Sequence, residues 1–152
     1  MGHTFGVKCA KCEYKFEAVI GHGMAWCDFF ASDPYTNTPY YLEYIEDEKI
    51  LEDICHILQN EENVRAHVID EIGYSHGLMQ YHCVKCGRLH NKCYFKLVFT
   101  DGSYEPKYYC DCCENKLIKV NLENYIKLKW HCPLCGQNKL VNDPDAQRIY
   151  FD

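Results

Sequence analysis

An α+β fold is predicted, made of small β-sheets built on cysteine knuckles with one helix-containing insert. Three observations predict it. Cysteine recurs as four Cys-x-x-Cys pairs: Cys9/Cys12, Cys83/Cys86, Cys110/Cys113 and Cys132/Cys135. Short runs of alternating apolar and polar residues flank those pairs, the period-2 mark of strands. One stretch, residues 43–60, instead carries Ile50, Leu51, Ile54, Ile57 and Leu58 at helical spacing.

In chain order, the first knuckle is followed by a strand in which Phe16, Ala18 and Ile20 alternate with Lys15, Glu17 and Val19. Gly21-His22-Gly23 comes next; it reads as a turn leaving that strand, with a phosphate cradle as the alternative. Residues 27–42 are punctuated by Asp33-Pro34 and Thr38-Pro39, and their aromatics suggest a packed surface loop. The helix of residues 43–60 opens with the acidic run Glu43, Glu46, Asp47 and Glu48, which its dipole favours. A strand through Leu78–Tyr81 leads into the second knuckle. Tyr94–Phe99 and Tyr104–Tyr109 read as a hairpin around Thr100-Asp101-Gly102-Ser103, with Pro106 marking an edge. Residues 116–120 and the alternating Ile126, Leu128 and Trp130 form two more strand patterns between the last two knuckles, and residues 142–152 read as a loose tail.

Twelve cysteines in 152 residues would suit a secreted disulfide scaffold, but the opening MGHTFGVKCAKC has no export pattern and no apolar run reaches membrane-spanning length. A cytoplasmic, reducing setting is expected, and there such spacings point to metal. Two knuckles place four thiolates around one ion at Zn–S distances of about 2.3 Å. The eight cysteines therefore predict a metal-binding protein with two structural zinc ions per chain; iron is the alternative metal. A glycine after the second cysteine relieves a position that often needs positive φ. Gly87 and Gly136 supply it, whereas Glu13 and Glu114 stand at the other two knuckles.

Two pairings are open. Joining Cys110/Cys113 to Cys132/Cys135, across an 18-residue spacer, leaves Cys9/Cys12 with Cys83/Cys86. Joining the second knuckle to the third leaves the first with the fourth. Loop-closure entropy differs by only about 1 kcal/mol and does not choose. The first pairing is preferred. It divides the chain into a knuckle-strand domain, 1–108, with a helical insert at about 28–76, a C-terminal zinc ribbon, 109–141, and the tail, 142–152. Of the other cysteines, Cys55 reads as a core residue of the helix, Cys112 as a rival to Cys113, and Cys93 with His90 as an unused His-x-x-Cys pair. His82 and His131 each precede a knuckle and read as flanking structure.

This order of features resembles a loose group of small bacterial and archaeal zinc-ribbon proteins, generally of unassigned function. It comprises a knuckle followed by Gly21 and Gly23, an acidic helical insert, and three further knuckles. The resemblance covers most of the chain, and its specific part is the four knuckles and their strands. It implies the pairing of the last two knuckles and brings no catalytic residue. The missing glycines after Cys12 and Cys113 and the extra Cys112 depart from it.

Charge is uneven. Residues 1–82 carry 5 basic and 14 acidic groups, and residues 83–141 carry 10 and 5, within a formal net charge of −6. Each zinc held by four thiolates adds two negative charges, which disfavours nucleic-acid binding by the whole surface. Sites closed by four thiolates offer no open position for substrate. A non-catalytic protein-interaction module is therefore expected, with a protein partner and no membrane contact. The alternative is a nucleic-acid-binding zinc ribbon using a basic face of Lys85, Arg88, Lys92, Lys96, Lys107, Lys119, Lys127 and Lys129, with Tyr94 and Trp130 for stacking. An enzyme would have only His22 and the cluster Glu46, Asp47 and Glu48 to draw on.

Overall fold

A computed structural model describes residues 2–23, 26–67, 76–120, 130–146 and 149–151. Its main antiparallel sheet is built around β1 (Gly2–Cys9), β2 (Lys15–Gly21), β4 (His76–His82) and β5 (Leu89–Phe95), in that spatial order. Three short strands complete it: β8 (Ile118–Lys119) on β4, and β9 (Leu140–Asp143) and β10 (Tyr150–Phe151) on the outer edge of β1. A second sheet joins β3 (Arg65–Ala66), β6 (Leu97–Phe99) and β7 (Gly102–Tyr104).

The predicted alternation of β2 holds, with Ala18 and Ile20 buried and Lys15 and Glu17 exposed. The backbones of β2 and β4 pair at Gly21↔Leu78, where the chains approach closely. A Cβ on Gly77 would lie 2.9 Å from the backbone carbon of Gly21, so a side chain there would push the strands apart.

The helix predicted over 43–60 is two helices, α1 (Tyr41–Tyr44) and α2 (Glu48–Asn60). Asp47 breaks the run by taking extended backbone and accepting hydrogen bonds from the Lys49 and Ile50 amides at 3.1 and 3.2 Å. It is the N-cap of α2, so Glu43 and Glu46 lie before the helix that they were expected to open. Ile50, Ile54 and Ile57 form the buried stripe of α2, while Leu58 is exposed. Cys55 is also exposed, which corrects its reading as a core residue; in a helix it faces away from that stripe.

The insert packs an aromatic core against β4 and β5. Trp26, Phe29, Phe95, Ile54 and Leu97 are all fully buried. Phe29 stacks on Tyr41 with centroids 5.2 Å apart and meets Phe95 at 4.7 Å, and Trp26 stacks on Tyr44 at 4.4 Å. The turn-rich stretch 27–42 is thus a packed loop, in which Tyr35 is the fully exposed aromatic. His22 belongs to the same core. Its ring stacks on His76 at 4.7 Å, and Nδ1 lies 2.9 Å from the Gly23 carbonyl oxygen. The Gly21-His22-Gly23 loop therefore turns its side chain inward and forms part of the hydrophobic packing.

Two expectations about the hairpin are corrected. In the β6–β7 hairpin, Phe99 pairs with Gly102, so Thr100 and Asp101 make the turn and Gly102 begins the strand. Thr100 is tied to the segment before β3, its amide and hydroxyl both donating to the Glu62 carbonyl at 3.0 and 3.1 Å. The predicted return strand stops at Tyr104, and Pro106, having no N–H to offer a ladder, follows in irregular backbone. The strand pattern at Ile126 and Leu128 lies outside the described residues.

The tail is also not loose: β9 pairs with β1 from Gly6↔Asp143 to Cys9↔Leu140, and β10 pairs at Gly2↔Phe151 and His3↔Tyr150. β1 needs partners for the amides and carbonyls of its outer edge, and Leu140–Asp143 and Tyr150–Phe151 supply them. Asp143 anchors this edge. Its carboxylate sits 2.8 Å from the Lys8 ammonium and 3.7 Å from that of Lys15.

The Lys8 ammonium holds the Asp143 carboxyl below the usual carboxylate range, and Asp143 raises Lys8 in return. The pair stabilises the folded state most between the two ordinary values, about 3.9 and about 10.4. The stabilisation fades as pH falls through the lowered Asp143 value or rises through the raised Lys8 value. An NMR titration of the Asp143 carboxyl should give a midpoint below that of free aspartate, and Lys8→Met should move it back up. An unchanged midpoint in that variant would show that the pair does not form in solution.

Candidate metal centres

All four knuckles share a local geometry. The amide of the first cysteine donates to the carbonyl five residues on: Cys9 to Tyr14, Cys83 to Arg88, Cys110 to Asn115 and Cys132 to Gln137, at 2.8–2.9 Å. In the last three a second bond closes the turn, from the residue after the second cysteine back to the first cysteine's carbonyl, at 2.8–2.9 Å. The residue donating that bond has positive φ: 76° at Gly87, 56° at Glu114 and 72° at Gly136. Glu114 thus takes a left-handed backbone without glycine, while Glu13 has no positive φ. The two knuckles that lack glycine are therefore physically different cases.

The structure joins the knuckles differently from the preferred expectation. Cys9, Cys12, Cys132 and Cys135 form one group, and Cys83, Cys86, Cys110 and Cys113 form the other. Strand pairing dictates this. β1 runs into the first knuckle and β9 leaves the fourth, and their register sets Cys9 opposite Leu140. β4 runs into the second knuckle and β8 follows the third, with Tyr81↔Lys119 and His82↔Ile118 paired. The third and fourth knuckles therefore do not share a group, and neither do the first and second. Cys113, not the exposed Cys112, joins the second group.

Four thiolates around one ion at about 2.3 Å lie about 3.8 Å apart. The closest sulfur pairs in the structure fit that spacing: Cys9–Cys135 at 3.7 Å, Cys12–Cys132 at 3.6 Å, and Cys83–Cys113 and Cys86–Cys110 at 3.5 Å. Disulfide sulfurs would be about 2.05 Å apart, and all twelve cysteines are free. Each group can hold a metal ion.

Within each group the thiols shift one another's ionisation in opposite directions. Burial opposes ionisation of Cys9, but the Lys11 and Cys12 amides and the neighbouring thiols bring it down to about 7. Burial likewise opposes Cys83, which the Cys86 amide and the Cys113 thiol bring down to about 7. Their partners move the other way. The Tyr14 amide favours the charge of Cys12, but burial and the adjacent sulfurs together push it up to about 12. Burial and adjacent sulfurs push Cys86 up to about 12. One sulfur in each group readily takes charge and suppresses ionisation of the next; a divalent ion removes that conflict.

The two centres abut. A Cβ built on Gly87, just after Cys86, would lie 2.4 Å from the carbonyl oxygen of His131, just before Cys132. At Gly136, the equivalent position of the fourth knuckle, it would meet nothing within 4 Å. Each Ala substitution costs about 1–2 kcal/mol for the left-handed backbone, and Gly87→Ala must also displace a neighbouring main chain. Gly87→Ala should therefore lower the denaturation midpoint clearly more than Gly136→Ala does. Equal losses would mean that the knuckles do not touch.

The other predicted residues scatter. His82 is buried and stacks on Trp130 at 4.4 Å, with His131 edge-on at 6.4 Å. Cys93 is buried in the core, where burial pushes its thiol up to about 12. Of the basic face, Lys119 lies 3.4 Å over the Tyr94 ring and Lys92 lies 5.8 Å over Tyr108. Arg88 reaches Asp111 at 3.7 Å, Lys85 and Lys107 are exposed and Lys96 is half-buried, while Lys127 and Lys129 lie outside the described residues. Asp47 caps α2, and Glu46 and Glu48 are exposed beside it. The sequence reading missed the Gly87–His131 contact, which needs the nested pairing to be seen. Among the described residues no helix is long and apolar enough to cross a membrane. No protein-family model matches the chain, and no curated protein or solved structure matches it; the resemblance to zinc-ribbon proteins rests on the cysteine geometry alone.

Proposed function

We propose that each tetracysteine centre holds one zinc ion as a structural crosslink, and that the protein is a non-catalytic module that binds another protein. The carrying observation is the donor set: two groups of four sulfurs spaced for one tetrahedral ion each, with cysteine filling every position. Such centres organise backbone and leave the ion no free site for substrate. The surface offered to a partner is the acidic helical insert, where Leu42, Leu58 and Tyr35 stand exposed among carboxylates. A protein partner is favoured over nucleic acid because the stacking residues of the basic face are engaged by the chain's own side chains. Tyr94 is 6% exposed beneath Lys119, and Trp130 lies against His82.

Metal analysis of protein purified without added metal should find two zinc ions per chain. Two irons, with the visible absorption of iron thiolates, would replace zinc by iron. Binding to single- and double-stranded nucleic acid across a salt series should be absent; salt-dependent binding at low salt would overturn the protein-partner reading.

A further inference from the structure

We propose that His90 and Asp111 form, with Cys110, a third and exchangeable divalent-metal site that shares the Cys110 sulfur with the second tetracysteine centre. A ring nitrogen of His90, the Cys110 sulfur and a carboxylate oxygen of Asp111 all lie within 4.8 Å of one another. Donors on one tetrahedral ion with bonds of about 2.0–2.3 Å sit roughly 3.3–3.8 Å apart, so the three need draw together by only about an ångström. The moving part is Asp111, whose side chain is 72% exposed, while Cys110 is buried and His90 is held on β5.

A second observation points the same way. The Nε2 atom of His90 is buried and makes no hydrogen bond among the described residues. A buried imidazole nitrogen without a partner is costly, and an ion bound through that atom would relieve the cost. Charge favours it too. A zinc held by four thiolates leaves two net negative charges on the neighbouring centre, and Asp111 adds another. The charges of Lys92 and Arg88 both act on His90, and Arg88 contacts Asp111 at 3.7 Å between two half- to well-exposed side chains. That contact is weak enough to give way.

The chemistry defines the ligand. Sulfur, nitrogen and carboxylate donors together select zinc or cobalt over calcium or magnesium. Three protein ligands leave the fourth position to water, so this ion exchanges, unlike the two enclosed ones. The inference rests on Cys110 being a thiolate ligand of the second centre.

The test is equilibrium dialysis of the holoprotein against zinc buffers of rising free concentration, with bound metal measured by mass spectrometry. The wild type should go from two to three ions per chain. Asp111→Asn and His90→Ala should each stay at two over the same range, the third affinity falling by more than the roughly 10–100-fold that loss of an outer partner costs. Cobalt binding beyond two equivalents should add a weaker, water-containing absorption that both variants lack. A wild type that stays at two ions would overturn the third site and leave the tetracysteine reading standing. A third ion retained by both variants would place it elsewhere and overturn the assignment. Fewer than two ions would sink the tetracysteine reading, and the third site with it. Asp111→Asn changes an exposed side chain, so it keeps the test valid should His90→Ala fold poorly.

Discussion

Cys132→Ala should abolish the native fold, whereas Cys112→Ala should leave it intact. Cys132 is fully buried and faces Cys12 at 3.6 Å, while Cys112 is exposed and outside both centres. A structural zinc contributes roughly 10–16 kcal/mol of binding free energy, and a domain's whole net stability is about 5–15 kcal/mol. Losing one centre therefore removes as much as the fold has in reserve. It also frees the knuckle beside which β9 docks on β1. Chelation should act in the same way, collapsing amide dispersion and far-ultraviolet dichroism in one transition that zinc restores. A Cys132→Ala protein with native dispersion, or a chelator without effect, would mean that the metal is incidental to the fold.

Phe29→Ala should cost about 3–5 kcal/mol, the range for removing a large aromatic from a core. Phe29 has no exposed surface and its ring meets those of Phe30, Tyr41, His76 and Phe95. It is the residue through which the turn-rich loop grips the sheet. Tyr35→Ala, in the same loop but 94% exposed, should stay within about 0.5 kcal/mol. Denaturant midpoints of the two variants give the comparison. A Phe29→Ala loss below about 1 kcal/mol would mean that the loop lies loosely on the surface.

Local signals were legible in the sequence and long-range partners were not. The eight cysteines that come together, the alternation of β2, and the stripe of Ile50, Ile54 and Ile57 each follow from spacing over a few residues. Asp47 was visible as one acid among several; its role as cap depends on the backbone turning there, after the buried Ile45. Knuckle pairing depended on which strands share an edge. Nothing within residues 140–143 states that they lie along β1, because Val141 and Asn142 carry no strong alternation and both are exposed. The Asp-Gly dipeptide misled for a related reason: the Thr100 contacts to Glu62 set the hairpin register from outside the hairpin. His90 could be seen beside Cys93, three residues on, but its neighbours in space are Cys110 and Asp111.

The nesting of the two centres imposes an order on biosynthesis. In the inner centre the paired sulfurs are 24 and 30 residues apart, and in the outer one 120 and 126. A nascent chain can close the inner centre once Cys113 has left the ribosome. Cys9 and Cys12, made first, must wait with free thiols until Cys132 and Cys135 appear. Through that interval the earliest cysteines are the most open to oxidation and to capture of the wrong ion, and the outer group closes late, with β9 and β10 still to follow it onto β1. A ribosome stalled before Cys132 would hold a chain with all four inner cysteines in place and a leading knuckle still without its partners.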